Sequence, residues 1–215
     1  TAYVTTIAGD TSAGARLITP GSDPEDPVAA AAAPLLALGE CGVVAVGAEE
    51  LFVSSLGPRP DMYVFGAIDF ASALSTVGRF LGYRVTVGDP RSLFLTPARF
   101  PDADQLVVEW PHEFLARAPV DERTAICVLT HDPRFDVPAL RAALRTPARY
   151  IGAMGSRRTT ERRTARMLEE GVGAEDLARI HAPIGFPIAS RTPEEVAIAI
   201  GAQIVAVANR APPAR

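Results

Sequence analysis

The sequence predicts an α/β protein: a parallel sheet with helices on both faces, preceded by a small α+β unit. Three observations carry this. Short apolar runs alternate with helix-periodic stretches from Met62 onward, and several of those runs are apolar at every position, as strands covered on both faces are. The stiff segment Gly57-Pro58-Arg59-Pro60 separates this regular part from a first region of different texture. Residues 1–59 are therefore expected to form the small unit and residues 60–215 the larger domain. With 215 residues, 48% of them hydrophobic, the chain suffices for one α/β domain with a real core and a small accessory piece.

In the first unit, Ala2–Ala8 and Ala15–Thr19 read as strands. The acidic, turn-rich stretch from Pro20 to Pro27 reads as a loop. Val28–Leu38 reads as a helix interrupted by Pro34, and Val43–Val46 with Leu51–Ser54 as a hairpin. In the second part the strands are Met62–Phe65, Arg84–Val87, Gln105–Glu109, Ala125–Leu129 and Tyr150–Ala153. Ala71–Leu81, Val137–Leu144 and Thr159–Glu170 carry helical periodicity between them. A last helix starts at Thr192-Pro193-Glu194-Glu195, with Thr at the N-cap, Pro at the first position and Glu three residues on, a capping box. Repeated β–α units require right-handed crossovers and place ligands beyond the carboxyl ends of the strands.

Composition removes several function classes. A net charge of −4 and a pI near 5.4 leave no broad basic face for nucleic acid. All 21 residues counted as Lys+Arg are arginine, so lysine Schiff-base chemistry and a P-loop lysine are impossible, and phosphate binding has to use arginine and backbone. Three scattered histidines lack the spacing of a metal site, no G-x-S-x-G nucleophile elbow is present, and no catalytic residue is assigned. Cys127 lies in an apolar run and reads as a small core residue, Cys41 is less defined, and two cysteines make no disulfide framework. No signal peptide opens the sequence and no apolar run approaches the roughly twenty residues that span a bilayer, so a cytoplasmic protein with no membrane partner is expected.

The first predicted strand ends in Gly66-Ala67-Ile68-Asp69-Phe70-Ala71, where a dinucleotide-binding loop would carry G-x-G-x-x-G. Only Gly66 is present. Ile68 stands where the second glycine would meet pyrophosphate, and Asp69 adds negative charge there or serves as the N-cap of the next helix. Asp89, at the end of the second strand, is placed to hold a ribose, to pair with Arg91 or to cap a turn. Thr130-His131-Asp132 follows the fourth strand and suits either ligand contact or a capping turn that uses Asp132 or Asp136. His181 is a candidate for the same crevice. Most informative is Tyr150-Ile151-Gly152-Ala153-Met154-Gly155-Ser156-Arg157-Arg158, an apolar strand that runs through glycine into two arginines at a helix start. Unpaired N–H groups and the helix dipole favour an anion there, Gly155 allows close approach, and Ser156, Arg157 and Arg158 supply donors suited to phosphate oxygens. The same arginines equally suit solvent or pairing with Glu161.

These loops resemble the Rossmann-like domain of the xanthine dehydrogenase accessory protein family, XdhC/CoxI. The resemblance rests on Val87-Gly88-Asp89-Pro90-Arg91, Phe100-Pro101-Asp102-Ala103-Asp104, Val128-Leu129-Thr130-His131-Asp132, the Tyr150–Arg158 run, His181-Ala182-Pro183-Ile184-Gly185 and Thr192-Pro193-Glu194-Glu195, in the family's order. Gly14-Ala15-Arg16-Leu17 and Leu51-Phe52-Val53 resemble its short N-terminal region. The resemblance implies a chaperone, more than an enzyme, that binds molybdenum cofactor (molybdopterin) and helps deliver it, sulfurated, to a xanthine dehydrogenase-type molybdoenzyme, with a cysteine desulfurase as a further partner. In that setting Gly155, Ser156, Arg157 and Arg158 would seat the terminal phosphate and Thr130, His131 and Asp132 would address the pterin or dithiolene end, with Gly66, Asp89 and Arg91 nearby. Many members carry G-A-G-H in the first loop, where this chain has Gly66-Ala67-Ile68-Asp69. Two other readings stand beside this one: an NAD(P)-dependent oxidoreductase, suggested by Asp89, and a protein-binding scaffold without a small-molecule ligand. A homodimer is expected because the small first unit buries little core alone.

Overall fold

Alternation of small apolar and polar residues folds the first segment into an antiparallel sheet. Strands β1 (Ala2–Ala8), β2 (Ala15–Ile18), β3 (Gly42–Val46) and β4 (Glu49–Ser55) lie in the order β2-β1-β4-β3. Their inward residues Ala2, Val4, Ile18, Leu51 and Val53 pack with Ala29 and Ala32 of helix α1 (Pro27–Leu38). Asp26 caps α1 by accepting from the Val28 N–H at 3.1 Å, and the helix closes on Gly39 with φ of 66°. Pro34 does not interrupt it, contrary to the sequence expectation. The helix runs unbroken for 12 residues, because one lost N–H bond is outweighed by the alanines around the proline and by packing of Ala29 and Ala32 on the sheet.

The computed structural model describes residues 1–9, 14–19, 22–23, 25–130 and 132–209. Pro20, Gly21 and Pro24 of the expected loop, and His131, lie outside the described residues. The chain divides into two compact units, Thr1–Pro58 and Arg59–Arg215.

The second unit is a six-stranded parallel sheet of β5 (Asp61–Phe65), β6 (Arg84–Gly88), β7 (Gln105–Val107), β8 (Ala125–Val128), β9 (Tyr150–Ala153) and β10 (Ile180–His181). Its order, β7-β6-β5-β8-β9-β10, is the doubly wound 3-2-1-4-5-6 arrangement with the switch point between β5 and β8. Both faces are buried. Met62, Val64, Ala125 and Cys127 point to one side with Leu74 of α2 (Asp69–Phe80) and Ile200 and Ile204 of α7 (Pro193–Ala208). Tyr63, Phe65, Ile126 and Val128 point to the other, with Phe114 of α3 (Pro111–Leu115), Leu140 of α4 (Pro133–Leu144) and Met167 of α5 (Arg157–Glu169). The short helix ahead of His181 is α6 (Ala174–Leu177).

Two sequence expectations are corrected. The third strand of this sheet ends at Val107 and not at Glu109, because Trp110-Pro111 opens α3 and proline cannot donate to a ladder. β10 is additional to the expected strands: two residues suffice to pair Ile180 with Ile151 and His181 with Gly152, too short a run for periodicity to reveal.

Candidate anion seat at the strand ends

At the switch point the first loop is tied down from within. Gly66 has φ of +116°, and a Cβ there would come within 3.0 Å of the Thr130 side chain, so glycine lets the β5 and β8 loops touch. Asp89 is 1% exposed. Its Oδ2 accepts from the Ala67 N–H at 2.8 Å and from Arg91 Nη2 at 2.8 Å, and its Oδ1 accepts from the backbone N–H and Nε of Arg91, both at 2.9 Å. Burial pushes this carboxyl's pKa up, but the Arg91 guanidinium and two backbone N–H groups outweigh it and hold the group below the usual carboxylate range. Asp89 is thus the clasp between two loops, with Arg91 as its partner. The Ile68 N–H is held by the Gly66 carbonyl at 3.0 Å. Asp69 does not cap α2, as one sequence reading had it: Ile68 occupies the cap, and Asp69 is the first helical residue, facing solvent and paired with Arg99 at 3.2 Å.

Beyond β8, Asp132 takes the capping role. It accepts from the Arg134 N–H at 3.0 Å and pairs with the Arg134 guanidinium at 2.6 Å, which holds its pKa at about 2. The Thr130 hydroxyl donates to Asp136, a residue only 2% exposed in the first turn of α4. Asp136 in turn accepts from Arg163 Nη1 at 3.2 Å, and the same Nη1 donates to the Met154 carbonyl at 3.0 Å. A buried chain of contacts therefore joins the β8 loop, α4, the β9 turn and α5. Arg163 is 7% exposed, and its second amino nitrogen, Nη2, is buried without a hydrogen-bond partner. The sequence does not single out Asp136 and Arg163 as a unit: they are 27 residues apart, and only the crossing of α4 and α5 brings them together.

The β9–α5 turn carries Gly155, Ser156, Arg157 and Arg158. Gly155 adopts φ of +147°, and a Cβ there would press within 3.2 Å of Thr159. Ser156 caps α5, its Oγ accepting from the Thr159 N–H at 3.2 Å. Arg157 and Arg158 are exposed, and among the described residues neither pairs with a carboxylate, Glu161 included. No acidic residue stands in the first turn of α5, so two positive charges face the positive end of the helix dipole. A cleft of about 400 Å³ opens at this turn, lined by Phe70, Met154, Gly155, Ser156, Thr159 and Ile184 among others. A larger cleft of about 620 Å³ between α3, α4 and α5 carries several arginines, but Arg141 and Arg166 share Glu170 and Arg134 is held by Asp132.

Over the ends of β6 and β8 lies a layered group that sequence reading did not find. The Arg91 guanidinium packs 5.0 Å from the Phe94 ring centroid and 5.9 Å from that of Phe135, and Phe135 stacks on Trp110 at 4.6 Å. Its members come from the loops after β6 and β7 and from the first turn of α4, so no local motif announces it. His181 stands apart from the cleft, stacked on Tyr150 at 4.9 Å on the edge strand, while Ile184 further along does line it.

The order of the parallel sheet and the helices on both its faces define a Rossmann-like α/β protein. The profile of the XdhC Rossmann domain matches residues 62–204, and the chain belongs to this family. It is 32% identical over 173 residues to YqeB of Escherichia coli (strain K12), covering 80% of this chain and 31% of that protein. It is 29% identical over 160 residues to a probable xanthine dehydrogenase subunit of Bacillus subtilis (strain 168), covering 74% and 46%, and 34% identical over 92 residues to the molybdenum cofactor insertion chaperone PaoD of Escherichia coli (strain K12), covering 43% and 29%. Among solved structures, a xanthine dehydrogenase from Bacillus halodurans superposes with a TM-score of 0.63 at 29% identity, over 73% of this chain and 45% of that one. The chain spans less than half the length of each of these relatives.

Proposed function

We propose that this protein is an accessory factor in the maturation of a xanthine dehydrogenase-type molybdenum hydroxylase, and that it holds the molybdenum cofactor as cargo with the cofactor's phosphate at the start of α5. The observation that carries the reading is the Gly155-Ser156-Arg157-Arg158 turn. Two arginines without a carboxylate partner at a helix N-terminus are unfavourable to the helix by about 0.3–1 kcal/mol each, and an anion bound there reverses the sign. Molybdopterin ends in a phosphate monoester and matches that chemistry. To the segment after β8, Thr130, His131 and Asp132, we assign the pterin or dithiolene end, and Gly66, Asp89 and Arg91 shape the neighbouring loop. Membership of the XdhC family, and relatives named as a cofactor insertion chaperone and a xanthine dehydrogenase subunit, support the accessory role.

The NAD(P)-dependent reading is disfavoured by the first loop. Asp89 holds the Ala67 N–H, the Gly66 carbonyl holds the Ile68 N–H, and Asp69 puts negative charge at the start of α2, so little there remains to bind a pyrophosphate. Delivery of a sulfurated cofactor would involve a cysteine desulfurase as sulfur source, and we extend the proposal to a homodimer, checked by light scattering across concentration. The functional test is reconstitution: a cofactor-free xanthine dehydrogenase-type enzyme is mixed anaerobically with cofactor, with and without this protein. Faster or fuller recovery of hydroxylase activity with the wild-type chain, lost with the Arg157→Ala/Arg158→Ala variant, supports the reading. Recovery independent of the chain refutes it.

A further inference from the structure

We propose that Arg163 is the buried cation of the anion seat, a positioning residue that fixes the Met154–Gly155 turn with one amino group and charges it from beneath with the other. The inference rests on the reading of α5 as a phosphate seat and adds a residue to it. Arg163 is 7% exposed. Burying a guanidinium is costly unless every donor is met, and buried donors without partners are rare in folded proteins. Here Nη1 is met twice, by Asp136 and by the Met154 carbonyl, whereas Nη2 has no partner and lies 3.8 Å from the point where a Cβ on Gly155 would stand. The orphan nitrogen is therefore directed at the turn that bears Ser156, Arg157 and Arg158.

A structural ion pair between α4 and α5 needs no such arrangement, because a lysine or a fully paired arginine would serve. Asp136 accepts from Thr130 through Oδ1 and meets Arg163 through Oδ2 at Nη1 and not at Nη2. The result is a site with positive charge from three arginines: two exposed at the rim, Arg157 and Arg158, and one fixed below in a medium of low dielectric constant, where its field on a ligand is screened least. The ligand class is a phosphate monoester attached to a group that fills the cleft beside Met154, Thr159 and Ile184.

The test measures equilibrium binding of 6-hydroxymethylpterin and of its phosphate monoester to the full chain, taking the ratio of the two affinities as the phosphate preference. The expected result is a preference in the wild type that falls about tenfold or more in Arg163→Met and is partly restored in Arg163→Lys, which keeps the charge but has one nitrogen. Asp136→Asn removes the countercharge and is expected to raise the preference, an outcome that a purely structural pair does not give. Near-UV circular dichroism identifies folded variants; if Arg163→Met does not fold, the Asp136→Asn result decides. A preference unchanged in folded Arg163→Met, or one that is unchanged or lower in Asp136→Asn, overturns the role of Arg163. If the wild type shows no preference at all, the phosphate seat itself fails, and if Arg157→Ala abolishes a preference that Arg163→Met keeps, the seat stands without Arg163.

Discussion

Asp89 accepts four hydrogen bonds in a position where a dinucleotide-binding fold would use an acid on ribose, and its carboxylate is spent on the protein itself. Replacing it with asparagine sets an amide donor against the donors of Ala67 or Arg91. Asp89→Asn is expected to cost about 2–4 kcal/mol in urea unfolding, with faster hydrogen exchange at the Ala67 amide. Pairing with Arg91 is one of the readings the sequence allows and is the one observed; the bond to Ala67 is not legible there, because that backbone N–H lies 22 residues earlier. Asp132 makes a prediction about pH. Its pKa is held at about 2, first by the Arg134 guanidinium, against a value near 3.9 in an unfolded chain. The folded value is depressed, so its contribution is complete above about pH 4 and disappears as pH falls through about 2. The stability gap between wild type and Asp132→Asn, measured by denaturant unfolding, should therefore be level above about pH 4 and shrink from there to about pH 2. A gap that is constant over this range would contradict the capping geometry.

At the scale of elements, α5 sets binding against stability. Ser156→Ala is expected to destabilise the fold by about 1 kcal/mol through loss of the cap bond to Thr159. Arg157→Glu should do the reverse, adding about 0.5–1 kcal/mol by placing an acid at the positive end of the dipole, while abolishing the phosphate preference. Thermal unfolding and binding of the same variant check both signs at once. This turn could be read from sequence because strand end, glycine, cap and arginines are contiguous. The layered group of Phe94, Arg91, Phe135 and Trp110 could not, since two loops and the first turn of α4 contribute to it. The same distinction separates the elements. Strands buried on both faces declare themselves by unbroken apolar runs, whereas β10, with two residues, has no period to show, and Pro34 looked like a helix breaker although the alanines around it keep α1 continuous.

For the whole molecule, the doubly wound sheet places Gly66, Asp89, Arg91, Thr130, Asp132 and Gly155–Arg158 in the segments that follow the carboxyl ends of its parallel strands. That unit has its own two core layers, one on each face of the sheet. A chain of residues 59–215 is accordingly expected to fold alone, with a cooperative unfolding transition and dispersed amide resonances. A molten or aggregated product would show that the first unit is needed for its stability. The central claim concerns cargo and has a direct measurement: anaerobic co-elution of molybdenum cofactor with the purified chain, with metal and pterin both quantified, for wild type, Arg157→Ala/Arg158→Ala, and wild type offered NAD. The account predicts stoichiometric retention of cofactor by wild type, at least tenfold weaker retention by the double variant, and no retention of NAD. Saturable NAD binding with no retention of cofactor would contradict it.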